Sequence, residues 1–225
     1  MPLPLAALAA LAGCNATYAP PVASVHHGGL GGVGAQQGAV RAGVALGGPG
    51  RGNAGVSLPL SDAVRVEAAG DLSENWRMGS AGLRVVERSA SGRAALDLEL
   101  GGGAGAGGQR CDNSTEPGTT CAAGVADGRS AFDRTAFGTY FGVGGGYRVH
   151  RYLELYARGR GQVTHATNVP ITVFLSGIGG LEVPIGPVRL NVAAGYAQYF
   201  NDAEQNGGAI VEGGLTVPFD MGRAH

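Results

Sequence analysis

The feature that most constrains the fold of this chain is a series of long segments in which residues alternate between two faces. In residues 188–200, Val188, Leu190 and Val192 fall on one face, while Arg189 and Asn191 fall on the other. Strict alternation predicts a β-strand whose faces meet different surroundings. Strands of soluble domains average about five or six residues, whereas a bilayer-spanning strand needs about 9–11. Length and alternation together predict a transmembrane β-barrel.

Ten segments of this kind can be placed on the chain. They are residues 36–46, 53–58, 64–72, 76–88, 93–105, 135–149, 152–164, 170–183, 188–200 and 207–219. An even strand number is typical of single-chain outer-membrane barrels. The predicted fold is therefore all-β, an up-and-down antiparallel transmembrane barrel over residues 35–219 with about ten strands, or alternatively eight, and a tail over 220–225. Glycines inside the strands, such as Gly142 and Gly144, are expected to let the closed sheet curve.

The connections between these strands predict an orientation. Four of them (59–62, 89–92, 150–151 and 184–187) are tight turns, most of them rich in Gly, Pro, Ser or Asp. The links at the other end are expected to be longer, including 165–169, 201–206 and, longest of all, 108–134. Because such barrels have short periplasmic turns and longer external loops, 108–134 is expected outside the cell. We interpret it as the contact segment for a surface protein or ligand.

Charged residues indicate which face of the sheet is inside. An Arg at the bilayer midplane costs about 2–4 kcal/mol, so Arg41, Arg84, Arg158 and Arg160 together would cost roughly 8–16 kcal/mol on the lipid side, as much as a whole domain's stability. We therefore predict that the charged face lines the lumen and forms an Arg–carboxylate network. Its members are Arg41, Glu67, Arg84, Asp97, Glu99, Glu154, Arg158, Arg160, Glu182, Arg189 and Glu212, with Arg65 and Arg148 on the same face.

Aromatic residues cluster near both predicted strand ends, where outer-membrane barrels carry two interfacial girdles. The outer girdle is predicted to contain Trp76, Phe137, Phe141, Tyr199 and Phe200, and the inner one Tyr147, Tyr152 and Phe219.

The N-terminal residues have the pattern of a targeting segment. Residues 2–13 carry no charge and are too few to span a bilayer, as in a signal-peptide core. The run Leu11-Ala12-Gly13-Cys14 resembles the lipobox of bacterial lipoproteins, which implies cleavage after residue 13 and acylation of Cys14. The alternative is an ordinary signal peptide followed by a chance Cys. Residues 14–34 have the Gly- and Pro-rich composition of a linker.

The other two of the three cysteines, Cys111 and Cys121, bracket a short polar stretch. This arrangement predicts a disulfide and an oxidising compartment. The alternatives are two free thiols or a metal pair, although a metal site needs about four ligands.

On this pattern, residues 36–219 resemble the small outer-membrane β-barrel proteins of Gram-negative bacteria, OmpA/OmpX-like or porin-like in the broad sense. The resemblance implies an outer-membrane location, with membrane lipid around the barrel.

Three classes of function compete. A structural or surface-interaction barrel, which we expect to be a monomer, is favoured. A lipid-anchored soluble barrel that binds a small ligand would instead have Leu and Val inside and Arg and Glu outside. A hydrolase would need rim groups such as Asp71, His165 and Asp202 to meet within about 3 Å, and a narrow pore would need an open bore. No enzymatic activity, metal, cofactor or nucleic-acid partner is predicted, since known catalytic motifs are missing and the net charge is only −1.

Overall fold

The computed structural model describes residues 39–47, 51–72, 76–107, 134–166, 169–200 and 205–220. These residues form ten strands. They are β1 (Ala39–Gly47), β2 (Arg51–Pro59), β3 (Val64–Leu72), β4 (Trp76–Arg88), β5 (Ala94–Gly107), β6 (Arg134–His150), β7 (Leu153–Ala166), β8 (Val169–Ile185), β9 (Val188–Phe200) and β10 (Gln205–Asp220). None of the described segments is a helix long and apolar enough to cross a bilayer.

The strands form a closed antiparallel barrel in which each pairs with its neighbours along the chain. The ring closes because β1 pairs with β10, from Ala39 opposite Asp220 to Gly47 opposite Glu212. The predicted up-and-down topology is confirmed, with ten strands rather than eight.

One end of the barrel, which we call the short-turn end, carries four tight connections at residues 60–63, 89–93, 151–152 and 186–187. Gly92 and Gly186 have φ angles of 64° and 60°. Both occupy hairpin positions that need a positive φ, which glycine adopts without a Cβ penalty. In the second turn, the Gly92 amide donates to the Ser89 carbonyl at 2.8 Å.

At the opposite end, the predicted difference in connection length is largely wrong. The residues between strands there are 48–50, 73–75, 108–133, 167–168 and 201–204. The sequence-based boundaries around 165–169 were too wide because β7 and β8 each continue further than the alternation suggested. The asymmetry between the two ends therefore comes from 108–133 alone.

The two faces of the sheet differ sharply in chemistry. On the outer face, Leu98 and Val192 are 54% and 53% exposed, while Arg84 and Arg158 on the inner face are 3% and 4% exposed. Further exposed apolar residues include Leu83, Val85, Leu96, Leu100, Phe141, Val143, Leu155, Val163, Leu175, Leu181, Val211 and Leu215. A soluble barrel would have the opposite arrangement. An apolar outer band around a closed barrel is the surface that bilayer hydrocarbon solvates, so the fold is that of a transmembrane β-barrel.

The aromatic girdles are only partly as predicted. Phe137, Tyr147 and Phe219 lie exposed near the strand ends. Trp76 does not join them, because it is in phase with the inward residues of β4 and is buried with Met78. The alternation of its own strand overrides its position near the strand end.

Several predictions fall outside the described residues. These are the signal peptide 1–13, the linker 14–34, Cys14, Cys111, Cys121, the segment 108–133 and residues 221–225 of the tail. The side chains of Arg41 in β1 and Tyr199 in β9 are also outside the description.

Candidate functional site: the interior charge cluster

Six buried charged side chains form a continuous series of ion pairs inside the barrel. We call this group the interior charge cluster; it consists of Glu67 on β3, Arg84 on β4, Asp97 and Glu99 on β5, and Arg158 and Arg160 on β7. Three arginines balance three carboxylates, so the cluster is formally neutral.

The first half of the cluster centres on Arg84. Its Nη1 donates to Glu67 Oε1 at 3.1 Å, and its Nη2 donates to Asp97 Oδ2 at 2.9 Å. One guanidinium thus joins carboxylates from the strands on either side of its own. The guanidinium can serve two carboxylates at once because it carries several N–H donors in a fixed plane.

The second half joins β5 to β7. Arg158 Nη2 lies 3.4 Å from Asp97 Oδ1 and 3.1 Å from Glu99 Oε2. Arg160 Nη2 donates to Glu99 Oε1 at 2.6 Å. The signs therefore alternate from Glu67 to Arg160, and each charge lies against at least one of opposite sign. In a low-dielectric interior, such pairing is what makes buried charges tolerable.

These contacts pass over β6, which lies between β5 and β7 and contributes no charge to the cluster. Gly144 is in register with Asp97 on one side and Arg158 on the other, and Gly142 is likewise between Glu99 and Arg160. Each Arg reaches its carboxylate across a strand position that has no side chain.

A side chain at either glycine would crowd a carboxylate of the cluster. A Cβ at Gly144 would lie 2.6 Å from Asp97 Oδ2, and one at Gly142 would lie 3.1 Å from Glu99 Oε2. Sequence reasoning missed this role. The signal that could have revealed it is the run of glycines on the inward face of β6 opposite charged positions of both neighbours, which becomes visible only with the register in hand.

Tyr140 bounds the cluster on its β6 side. The guanidinium carbon of Arg160 lies 4.2 Å from the centre of the Tyr140 ring, within cation–π distance. A Cβ at Gly82 would come within 2.7 Å of the Tyr140 hydroxyl, and one at Gly101 would also collide with the ring. Tyr140 therefore extends over glycines of β5 and β4 and fills the space that they leave.

The remaining predicted network residues lie apart from the cluster. Near the short-turn end, Arg189 Nη1 donates to Glu182 Oε1 at 2.5 Å. Arg148 Nη2 and Glu154 Oε2 are 4.0 Å apart. Glu212 is buried on β10, in register with Ala193 of β9.

Apolar side chains fill another part of the interior. Val86, Tyr156 and Ile178 are buried together with Ala95, Ala193 and Ile210. The bore is thus occupied by neutral ion pairs and by an apolar cluster.

The candidate hydrolase residues that the structure describes, Asp71 and His165, lie on opposite faces of the barrel wall. Asp71 is buried inside the barrel, and His165 faces outward with its ring centre 5.3 Å from that of Phe137. Asp202 lies outside the described residues. Within the described part of the chain, no group of three or more His, Cys, Asp or Glu could hold a metal ion.

Comparison with known proteins finds similarity to solved structures only, at low sequence identity. No family model matches the chain, and no curated protein matches it. Among solved structures, Neisserial surface protein A (NspA) is 14% identical over 80% of this chain and 96% of that chain, with a TM-score of 0.37. The outer membrane protease OmpT from Escherichia coli is 10% identical over 80% and 95%, with a TM-score of 0.39. A de novo designed transmembrane β-barrel is 15% identical over 82% and 98%, with a TM-score of 0.32.

Proposed function

We propose that this chain is an outer-membrane β-barrel protein of a Gram-negative bacterium with a structural or surface-interaction role and without an open pore. The observation that carries the proposal is the interior charge cluster, which crosses from β3 to β7 inside a barrel whose outer wall is apolar. About eight strands leave an interior just filled by side chains, whereas open aqueous channels belong to barrels of about 16–18 strands. Ten strands filled by paired charges and apolar side chains fit the closed class.

Conductance tests this proposal. The refolded full-length protein, inserted into a planar bilayer, is expected to give no porin-like current steps, while a porin inserted in parallel does. Folding is checked on the same sample by the increase in apparent mass on a gel that boiling causes in barrels. Regular porin-like steps from the heat-modifiable form would overturn the closed-barrel proposal.

The orientation and the contact segment belong to the same proposal. The length of 108–133 favours an external position, since external loops are the longer ones in these barrels. An epitope inserted near residue 115 is expected to bind antibody on intact cells. The matched control is the same epitope between Ser89 and Gly92, which should bind only after the outer membrane is permeabilised. The reverse pattern would invert the orientation.

We further propose that Cys14 is acylated and that Cys111 and Cys121 form a disulfide. Metabolic labelling with a radioactive fatty acid should mark the wild-type protein and not C14S. Alkylation of the denatured protein with and without reductant should reveal two thiols that react only after reduction. Labelling of C14S would contradict the first part, and free thiols before reduction the second.

A further inference from the structure

A small cavity opens at the mouth of the lumen on the short-turn end, away from the interior charge cluster. It encloses about 270 Å³ between the ends of β6, β7, β8 and β9. Arg148, Arg151, Arg189 and His150 line it, with Glu154 as the carboxylate of the lining. With Glu182, which binds Arg189, three guanidinium groups meet two carboxylates, so the formal charge at this mouth is positive.

The arginines of this cavity differ in how far they are neutralised. Arg189 is 14% exposed and bound to the buried Glu182. Arg148 is 43% exposed, and among the described residues it approaches a carboxylate only at Glu154, at 4.0 Å. That distance is beyond a hydrogen bond. The guanidinium of Arg148 thus faces the cavity with its donors turned to solvent.

Arg151 gives the cavity a second exposed guanidinium. It lies in the two-residue turn between β6 and β7, 4.5 Å over the ring of Tyr152. Tyr152 lies in the same turn and is half exposed, and aromatic residues near the strand ends of such barrels meet lipid headgroups. The cavity therefore lies beside the boundary between the apolar band and water.

We propose that this cavity binds a phosphate group, carried either by a phospholipid headgroup or by free inorganic phosphate. Guanidinium forks bind phosphate oxygens in pairs, which a single Lys ammonium cannot do. The volume holds a phosphate group and several waters, since one water occupies about 30 Å³ in the liquid. This binding site goes beyond the proposed structural role and rests on the geometry of the barrel mouth alone.

The first arm of the test uses inorganic phosphate. The full-length protein in an uncharged detergent at low ionic strength is titrated by calorimetry, alongside R148Q, R151Q and R93Q. Arg93 is a matched control because it is exposed at the same end and outside the cavity, while its carbonyl accepts a hydrogen bond from the Arg148 amide. Loss of one charge-assisted hydrogen-bond donor should weaken binding about tenfold in R148Q and R151Q. R93Q should stay within about twofold of wild type, since exposed charges outside a site contribute little.

The second arm uses lipid and separates the two sources of phosphate. The same four proteins in nanodiscs of phosphatidylglycerol and phosphatidylcholine are released into the mass spectrometer, and retained phospholipids are counted. Retention lost in R148Q and R151Q but kept in R93Q, with no binding of inorganic phosphate, assigns the site to a headgroup. If inorganic phosphate binds to wild type and R93Q but more weakly to R148Q and R151Q, and no lipid is retained, the ligand is free phosphate. If both the binding of inorganic phosphate and the retention of lipid are lost in R148Q and R151Q, the site accepts a phosphate group from either source. Absence of both, or equal effects in R93Q, would overturn the proposal.

Discussion

At the scale of single residues, the absence of a side chain is as consequential as the presence of a charge. Arg158 meets Asp97 only because Gly144, which is in register with both, leaves the inner surface of β6 bare. A glycine in a strand interior normally weakens the strand. Here it opens the space through which two neighbouring strands are joined electrostatically.

Gly144→Val should therefore destabilise the barrel, although valine has a higher strand propensity than glycine. Its Cβ would fall 2.6 Å from Asp97 Oδ2, so the carboxylate must move away from Arg84 and Arg158. We expect a loss of about 1–3 kcal/mol in the free energy of unfolding, measured by urea titration of the protein in lipid vesicles.

Gly79→Val is the matched control for this substitution. Gly79 lies within β4 on the outer face, and a Cβ there meets nothing within 4 Å. Valine has a higher strand propensity than glycine, so stability should be unchanged or increased. Equal losses in G144V and G79V would contradict the spatial role of Gly144.

Arg84→Met tests the ion pairs themselves. Methionine keeps much of the volume, but Glu67 and Asp97 lose a shared donor at 3.1 and 2.9 Å. Removing one member of a buried ion pair costs about 3–5 kcal/mol because the remaining charge is left uncompensated. The measurement is again the free energy of unfolding in vesicles. R93M, at an exposed turn position, should change it by less than about 0.5 kcal/mol, and a similarly small change in R84M would refute the energetic role of the cluster.

At the scale of the strands, the architecture could be predicted from the sequence, but the contacts between side chains could not. Strands β3, β4 and β9 begin and end at the residues that alternation predicts, because each face meets one environment along its whole length. The individual ion pairs could not be predicted from the sequence. Arg158 and Asp97 lie two strands apart and are brought together by the register of β6 with both neighbours, which alternation cannot fix.

The misplacement of one aromatic residue has a different origin. Trp76 is at a strand end and would suit a girdle by position, yet the phase of β4 turns it inward against Met78. Position along a strand and phase within it are separate constraints. In Trp76 the two disagree, and the inward/outward alternation of the strand sets the direction of the side chain.

Leu98→Arg measures what surrounds the outer face of β5. Leu98 lies near the middle of the strand and is more than half exposed. In a bilayer, Arg at this depth should cost about 2–4 kcal/mol, falling to about 0–1 kcal/mol near the interface. Leu60→Arg, in the turn between β2 and β3, is the matched control and should be close to neutral. If the two variants unfold alike in vesicles, the outer band is not in hydrocarbon.

At the scale of the whole molecule, the interior contains charged and apolar side chains, which differ in whether they admit water to the bore. The interior charge cluster can exchange its internal partners for water when it is loosened, whereas Val86, Tyr156 and Ile178 exclude water. Whether ions pass depends on which of the two closes the narrowest point. The arrangement of the cluster across four of the ten strands favours the charges as the barrier.

Replacing Asp97, Glu99, Arg158 and Arg160 together by Ser removes two charges of each sign, so the net charge is unchanged while four long side chains are shortened. We expect current steps in planar bilayers that the wild type lacks, because water and ions can occupy the vacated volume. The control replaces Leu83, Leu98, Leu155 and Val163 on the outer face by Ala, which alters the lipid contact and leaves the bore intact. The four-Ser variant must fold and increase in apparent mass on boiling for the result to count. If it does and still carries no current, the apolar interior residues rather than the charges seal the barrel. The double substitution Val86→Ser and Ile178→Ser should then open it.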